Sequence, residues 1–227
     1  MHSPDFYNAT AQSYDLRQQN PWTEILREKE KELIKKYAKG RILDVGCGTG
    51  FHLKYLEEKG FSEITGIDSS EEMLKLARKN TKAELLVADA EKLPFADESF
   101  VTVLCLFTVL NLCDAEKALG EINRALKKGS YAIFSVASVF DNKGRKRKKI
   151  HVDGNPAVFR LFSKDELELL LKKTGFSLIH FDSLFRSLRP KWGNWSPLTA
   201  REKEAIRNEA NTPVEKGAIY LAVAAKT

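Results

Sequence analysis

Residues 43–50 read Leu43-Asp44-Val45-Gly46-Cys47-Gly48-Thr49-Gly50. The apolar stretch Arg41–Val45 runs as a short strand into three glycines set one residue apart. Glycine lets the backbone turn sharply and approach a ligand closely. Such a turn after a strand of an open parallel sheet lies at the carboxyl edge, where ligands bind. Working outward, the spacing predicts a helix over Thr23–Lys39 stopped by Gly40, and another over Phe51–Lys59. A second strand, Ile64–Ile67, ends at Asp68. Ser69 then caps a helix, with Glu72 as its capping-box partner. Strands follow at Ala83–Ala88 and Phe100–Phe107. Asp114 caps a helix with the apolar face Ala118, Leu119, Ile122 and Leu126, ended by Gly129, and a fifth strand covers Tyr131–Ala137. Strands alternating with helices predict right-handed crossovers and an α/β, doubly wound sheet. The strands are apolar on both sides, as helices on both faces require.

The rhythm breaks at an insertion over 139–160. Ser163 caps a helix at Lys164–Thr174, with Glu166 as box partner, and a strand follows at Phe176–Phe185. A second insertion, 186–213, holds Pro190, Trp192, Trp195 and Pro197 before a last strand at Ala218–Ala225. No repeat or linker divides the chain, so one domain over 1–227 is expected, with 1–39 as an N-terminal lid or helix. At 43% hydrophobic and 30% charged, the composition excludes wholesale disorder. Cys47, Cys105 and Cys113 are odd in number and show no C-x-x-C spacing, so neither a disulfide scaffold nor a metal site is expected. The opening MHSPDFYNAT carries no signal pattern, and the longest apolar run is too short to span a bilayer. A cytoplasmic protein is the expectation. The formal charge is +6, and Val139–Arg160, with seven basic residues and two acids, holds +5 of it. The excess is one local feature, centred on Lys143–Lys149.

The glycine turn raises the question of a dinucleotide. That fingerprint is G-x-G-x-x-G. Counted from Gly46 its third glycine falls on Phe51, and counted from Gly48 on Leu53, so both registers fail. Asp68, ending the second strand, is placed to grip both hydroxyls of a ribose. Asp89-Ala90, ending the third, is placed to meet an adenine edge. Leu106–Asn111 follows the fourth strand, beside the expected reacting centre.

Six stretches in order, FYNATAQSYD (6–15), LDVGCGTG (43–50), GIDSSEEML (66–74), VADAEKLPF (87–95), LKKGS (126–130) and FSKDELELLLKKTGF (162–176), resemble the class I S-adenosylmethionine (SAM) dependent methyltransferases. The likeness is to the branch containing the quinone-biosynthesis enzymes, and it runs from Phe6 to Thr227. It implies a Rossmann-like sheet, mostly parallel with the last strand antiparallel, and SAM as cofactor. It further implies that Gly46, Cys47, Gly48 and Gly50 cradle the methionine part, with Asp44 near its ammonium. Asp68 and Ser69 would meet the ribose, Asp89 and Ala90 the adenine, Leu106 and Phe107 the sulfonium, and Tyr14 would cover the cofactor. The sequence departs from the family at Lys128 and Ser130, where Pro and Gly are usual, and at Asn111, where related enzymes often carry His. The last change removes a base from that position. His151, Asp153 and His180 are the remaining candidates, and the catalytic group stays unassigned.

The first expectation is methyl transfer to a small or medium-sized acceptor, with the basic loop attracting an anionic group and the tryptophans covering an apolar part. The alternative is an RNA base, since related wobble-uridine methyltransferases combine this core with a basic insertion. A dinucleotide oxidoreductase is disfavoured by the missing third glycine, and a non-catalytic SAM-binding protein by the intact set of motifs. His52 is read as structural, Cys47 as a small filler. Oligomeric state is left open.

Overall fold

The structure, a computed structural model, describes residues 3–107, 109–142, 146–185, 199–209 and 217–227. Lys143, Arg145, Pro190, Trp192, Trp195 and Pro197 therefore lie outside the described residues, and with them the reading of the tryptophans as a cover.

The chain opens with helices α1 (Ser3–Gln18) and α2 (Pro21–Tyr37). Asn20 accepts from the backbone N–H of Thr23 at 2.9 Å. With Pro21 in the first helical position, this cap starts α2 two residues before Thr23, where apolar spacing alone put it. The core alternation follows: β1 (Ile42–Val45), α3 (Phe51–Glu58), β2 (Ile64–Asp68), α4 (Glu71–Asn80), β3 (Glu84–Val87), β4 (Phe100–Cys105), α5 (Ala115–Ala125) and β5 (Leu126–Ala137). Then come β6 (Arg147–Val152), β7 (Asn155–Arg160), α6 (Lys164–Lys173), β8 (Phe176–Leu184), α7 (Ala200–Glu209) and β9 (Ile219–Lys226).

Seven strands form one sheet in the order β3-β2-β1-β4-β5-β9-β8. The pairs from β3 to β5 are parallel, and β9 runs antiparallel between β5 and β8. This is the doubly wound sheet with an antiparallel last strand read from the sequence. Period-2 alternation sends successive side chains to opposite faces. Ile42, Leu104, Ile133 and Leu221 pack under Ile25, Leu33 and Leu53 of α2 and α3. Leu43, Val103, Phe134 and Ala222 pack against Leu119, Ile122, Leu167 and Leu171 of α5 and α6. Strand order reverses between β1 and β4, which opens a crevice at their carboxyl ends.

Four local readings change. Ser70, not Ser69, caps α4: its Oγ accepts from Met73 N at 3.2 Å, while its own N–H donates to Asp68. Asp68 ends the strand one residue later than expected, and the cap shifts with it. Helix α5 stops at Ala125 rather than at Gly129, because Leu126 already pairs with Phe100 of β4 and the pairing register then shifts before Tyr131. The insertion at 139–160 is no open loop: β6 and β7 form an antiparallel ribbon closed by Asp153-Gly154. Both turn residues have positive φ, at 49° and 79°, as a tight two-residue hairpin requires. Finally, α7 lies within the second insertion.

Candidate active site

The crevice is built on the glycine turn. Gly46, Gly48 and Gly50 all sit at positive φ. The N–H groups of Gly46 and Cys47 both donate to Ile67 O, at 2.8 and 2.9 Å, which fastens the turn to β2. A Cβ on Gly46 would stand 2.3 Å from Val109 Cγ2, whereas one on Gly48 would meet nothing nearer than Tyr14, at 4.0 Å. Gly46 thus admits the segment after β4, and Gly48 leaves open space above the turn.

Two spaces meet here. The larger cleft is walled by the turn, the ends of β2 and β3, α1 and the segment after β4, including Tyr7, Asp68, Asp89, Val109 and Leu112. A smaller recess beside it is lined by Arg27, Asp44, Thr49, His52 and Leu106 among others. Tyr14, Gly46, Gly48 and Phe107 border both. Of the residues singled out from the sequence, Tyr14, Gly46, Gly48, Asp68, Ser69, Asp89, Ala90 and Phe107 line the cleft, and Asp44, Cys47 and Leu106 line the recess. Gly50 borders neither; it starts α3, and a Cβ there would face Thr81 and Ala77.

Asp68 is almost buried. Its Oδ2 accepts from Gly48 N and its Oδ1 from Ser70 N, each at 2.9 Å. Burial raises its pKa, and the backbone N–H groups of Ser70, Gly48 and Ser69 oppose the rise. Asp44 is 2% exposed, and burial pushes its carboxyl up to about 6 against the opposing charge of His52. Among the described residues three buried side-chain polar atoms lack a hydrogen-bond partner: Asp44 Oδ2, Arg27 Nε and, away from the cleft on α6, Glu166 Oε2. Asp44 and Arg27 both belong to the recess. Buried polar atoms are nearly always satisfied, so two orphans of opposite charge in one recess mark a place for a ligand.

A buried polar chain supports the segment after β4. Phe107, at φ 57°, donates its N–H to Ser135 Oγ at 2.5 Å. Ser135 Oγ donates to Glu30 Oε1 at 2.6 Å, and Glu30 Oε2 meets His52 Nε2 at 3.0 Å. Over the cleft lies α1, packed on α4 and β7. It is held by polar clasps: Ser70 Oγ to Asn8 and Thr49 Oγ1 to Asp15, both at 2.7 Å, and Arg17 with Asp153 at 3.0 Å. Tyr7 and Tyr14 meet edge-to-face at 6.2 Å, and burial lifts both phenols above their ordinary range.

The three candidate bases do not gather here. His151 is exposed on the ribbon, and Asp153 is turned onto Arg17 and Ser13. His180 pairs with Asp182 at 2.8 Å on the edge strand β8. Asn111 is a brace: its Nδ2 donates to Ala137 O and Arg160 O, and its Oδ1 accepts from Ala137 N. The sequence reading took Val109 only as part of Leu106–Asn111 and missed Arg27, Tyr7, Met73, Leu112 and Glu30. Arg27 and Glu30, set among the apolar Ile25, Leu26, Leu33 and Ile34 of α2, were the available signal for two of these.

A family model described as a methyltransferase domain matches residues 43–134. A demethylmenaquinone methyltransferase of Thermotoga maritima is 30% identical over 219 residues, covering 82% of this chain and 93% of that protein. An uncharacterized protein of Methanocaldococcus jannaschii is 35% identical over 201 residues, covering 78% of this chain and 76% of its own. Among solved structures, a SAM-dependent methyltransferase of Thermotoga maritima, a possible histamine N-methyltransferase, superposes over the full length of both chains with a TM-score of 0.69 and 24% identity.

Proposed function

The chain belongs to the class I SAM-dependent methyltransferases, in the branch of the quinone-biosynthesis enzymes, and on that premise we propose that the cleft and recess together hold SAM. The observation that carries this reading is the orphaned pair in the recess. A free carboxylate oxygen and a free guanidinium N–H fit the two charges of an amino-acid end, Asp44 toward the ammonium and Arg27 toward the carboxylate. Each oxygen of Asp68 accepts one backbone N–H and keeps a lone pair for a ribose hydroxyl, with Ser69 beside it. Asp89 and Ala90 flank the adenine, against Met73, Val109 and Leu112. Cys47 packs the turn, Leu106 lines the recess, Phe107 stands where recess and cleft meet, and Tyr14 covers that junction from α1. The whole described chain serves as one domain with α1 and α2 as its N-terminal cover.

When bound, SAM supplies a methyl group on a sulfonium, already electrophilic. The protein's share is then to orient the acceptor and exclude water, and positioning of this kind can lower a barrier by about 7–11 kcal/mol. The polar chain from Glu30 through Ser135 fixes Phe107 beside the transfer path, and α1 shields it. The relatives' names support a small or medium-sized acceptor: one acts on a demethylmenaquinone, another on a malonyl group borne by a carrier protein. That range carries the reaction to this chain and no single acceptor.

Thermal melting with SAM and with NAD tests the reading. At about 100 times its dissociation constant a ligand stabilises by about 2.7 kcal/mol, and SAM alone is expected to raise the melting temperature. Stabilisation by NAD without SAM would overturn it. Transfer of labelled methyl from SAM into the RNA, protein or small-molecule fraction of a cell extract then reads the acceptor class.

A further inference from the structure

Methyl transfer breaks a C–S bond and leaves its electron pair on sulfur. The spent donor, S-adenosylhomocysteine (SAH), is therefore a neutral thioether where SAM is a cation. The charge departs with the acceptor, as a cationic product or as a released proton. Apart from the methyl group, the two forms of the donor are the same molecule. A pocket separates them by charge only if its own field is one-sided.

The walls here are one-sided. Among the described residues the cleft has Asp68, Asp89 and Glu91 in its lining and no basic side chain. Glu91 stands 3.6 Å from Lys117, and Asp89 is exposed to water, so both are screened. Asp68 is almost buried and is answered by backbone N–H groups. The recess holds Asp44 with Arg27 and His52. Asp44 and Arg27 face the ammonium and carboxylate that SAM and SAH share, and those charges cancel. Asp68 and Glu30 remain, opposed by His52 when it is protonated.

Glu30 is the less expected of the two. It is fully buried on α2 and lines neither space. Ser135 Oγ takes the N–H of Phe107 at 2.5 Å, so its own hydrogen goes to Glu30 Oε1 at 2.6 Å. That oxygen is an acceptor, as a carboxylate supplies. Phe107, two hydrogen bonds away, borders both cleft and recess. The acid thus lies behind the wall where the two spaces meet, in a medium that screens charge poorly. Its field reaches the recess: beyond burial, and against His52, Glu30 and then Asp68 push the Asp44 carboxyl up. Asp44 Oδ2 lines the same recess, 2% exposed and without a hydrogen-bond partner, an independent mark of a missing cation.

We propose that Glu30 makes this pocket select the charged methyl donor over its spent, uncharged form. The inference rests on the methyl-donor reading and adds a specificity-determining residue to it, one that acts through its field rather than by contact. Once the methyl group has left, the buried acid has lost its counter-charge, which favours release of SAH. Even at about 12 Å and an effective dielectric constant of about 20, one unit charge shifts an affinity about tenfold.

The test is calorimetric titration of the full chain with SAM, SAH and sinefungin, which carries an ammonium in place of the sulfonium. It is run at about pH 8, the upper end of the range in which histidine ordinarily changes charge. The parent should bind SAM and sinefungin at least about tenfold more tightly than SAH. Glu30→Gln keeps the shape and an acceptor for Ser135, and should lower the ratio of SAM to SAH affinity about tenfold. Loosening of Phe107 in the variant would weaken both ligands alike and leave the ratio unchanged, so the ratio separates charge from packing. A parent that binds SAH as tightly as SAM, or a folded variant with an unchanged ratio, would overturn the proposal. Should the variant fail to fold, the parent's ranking of both cationic ligands against SAH decides the matter. Equal binding of all three ligands removes the selection by charge and leaves the methyl-donor reading standing, whereas binding of none removes both.

Discussion

Replacing Asp44 by Asn is expected to stabilise the ligand-free protein at neutral pH. The carboxyl is 2% exposed, its Oδ2 lacks a hydrogen-bond partner, and burial moves it from 3.8 to about 6. A carboxyl raised in the native state binds its proton more tightly there than in the unfolded chain. Its contribution to stability is therefore full below about pH 4 and is lost as pH rises through about 6. A shift of about two pK units corresponds to about 3 kcal/mol. Asn keeps the shape and carries no charge to desolvate, but its amide brings two donors that need acceptors, so a gain of about 1–2 kcal/mol is the reasoned value. For a chain of this size that raises the melting temperature by about 2–4 °C per kcal/mol. Asp68 is also raised by burial and titrates in the same direction, so the quantity to follow is the difference between variant and parent. Urea unfolding of both, from about pH 4 to about pH 8, should give a gap that is open at the alkaline end and closes on acidification. Calorimetry should meanwhile show weaker SAM binding by the variant. An Asn variant no more stable than the parent at neutral pH, or a gap independent of pH, would refute the argument that Asp44 is held ionised at a cost.

Two further outcomes follow from the same geometry. Asp68→Ala removes a charged acceptor from two proposed ribose hydroxyls, at about 1.5–3 kcal/mol each, so SAM affinity should fall by about 10²–10⁴-fold in calorimetry; it also strips Gly48 N and Ser70 N of their acceptor, so a lower melting temperature should accompany it, and unchanged affinity would remove the ribose assignment. Gly46→Ala forces a side chain to φ 73° and to 2.3 Å from Val109 Cγ2, each costing about 1–3 kcal/mol; urea unfolding should show the loss, and Val109→Ala in the same chain should restore the steric part of it, whereas no restoration would mean that the backbone angle alone is responsible.

The core strands were legible because their residues are apolar on both faces, a pattern that only a sheet covered on two sides tolerates. Ends were less legible. Gly129 looks like a helix stop, yet the backbone is already extended at Leu126, because pairing with Phe100 outweighs the local preference. The ribbon carried a readable signal in Asp153-Gly154 between alternating residues, obscured by the lysines around it. Helix α1 carried almost none. Among its described side chains only Phe6, Thr10 and Ala11 are buried, so no apolar stripe marks it, and it is held by clasps to Ser70, Thr49 and Asp153. Those partners lie far away in sequence, so the bounds and packing of this helix could not be read, although a lid or helix was expected over 1–39 and Tyr14 could be singled out.

The polar half of the site obeys the same alternation that builds the core. Along β1, Ile42 and Asp44 point to the same side, toward α2 and α3; along β5, so do Ile133 and Ser135. On each strand the apolar member lies toward the middle of the sheet and packs in the core beneath α2. The polar member lies at the carboxyl end, beside the crevice. Glu30 and His52 answer them from the helices, Glu30 bridging to Ser135 and His52. A layer of helices over a sheet needs none of these groups to fold, and a fully buried carboxylate such as Glu30 is costly unless it is hydrogen-bonded. Its bonds lead, through Ser135, to the backbone of Phe107 in a conformation that a non-glycine residue seldom adopts. A strained residue persists only where its surroundings over-determine it. Here the surroundings are a carboxylate, a hydroxyl and an imidazole that the fold alone does not require, gathered where the strand order reverses. Polarity placed at that end of the strands, against the interest of stability, is what separates a binding crevice from the remainder of the sheet.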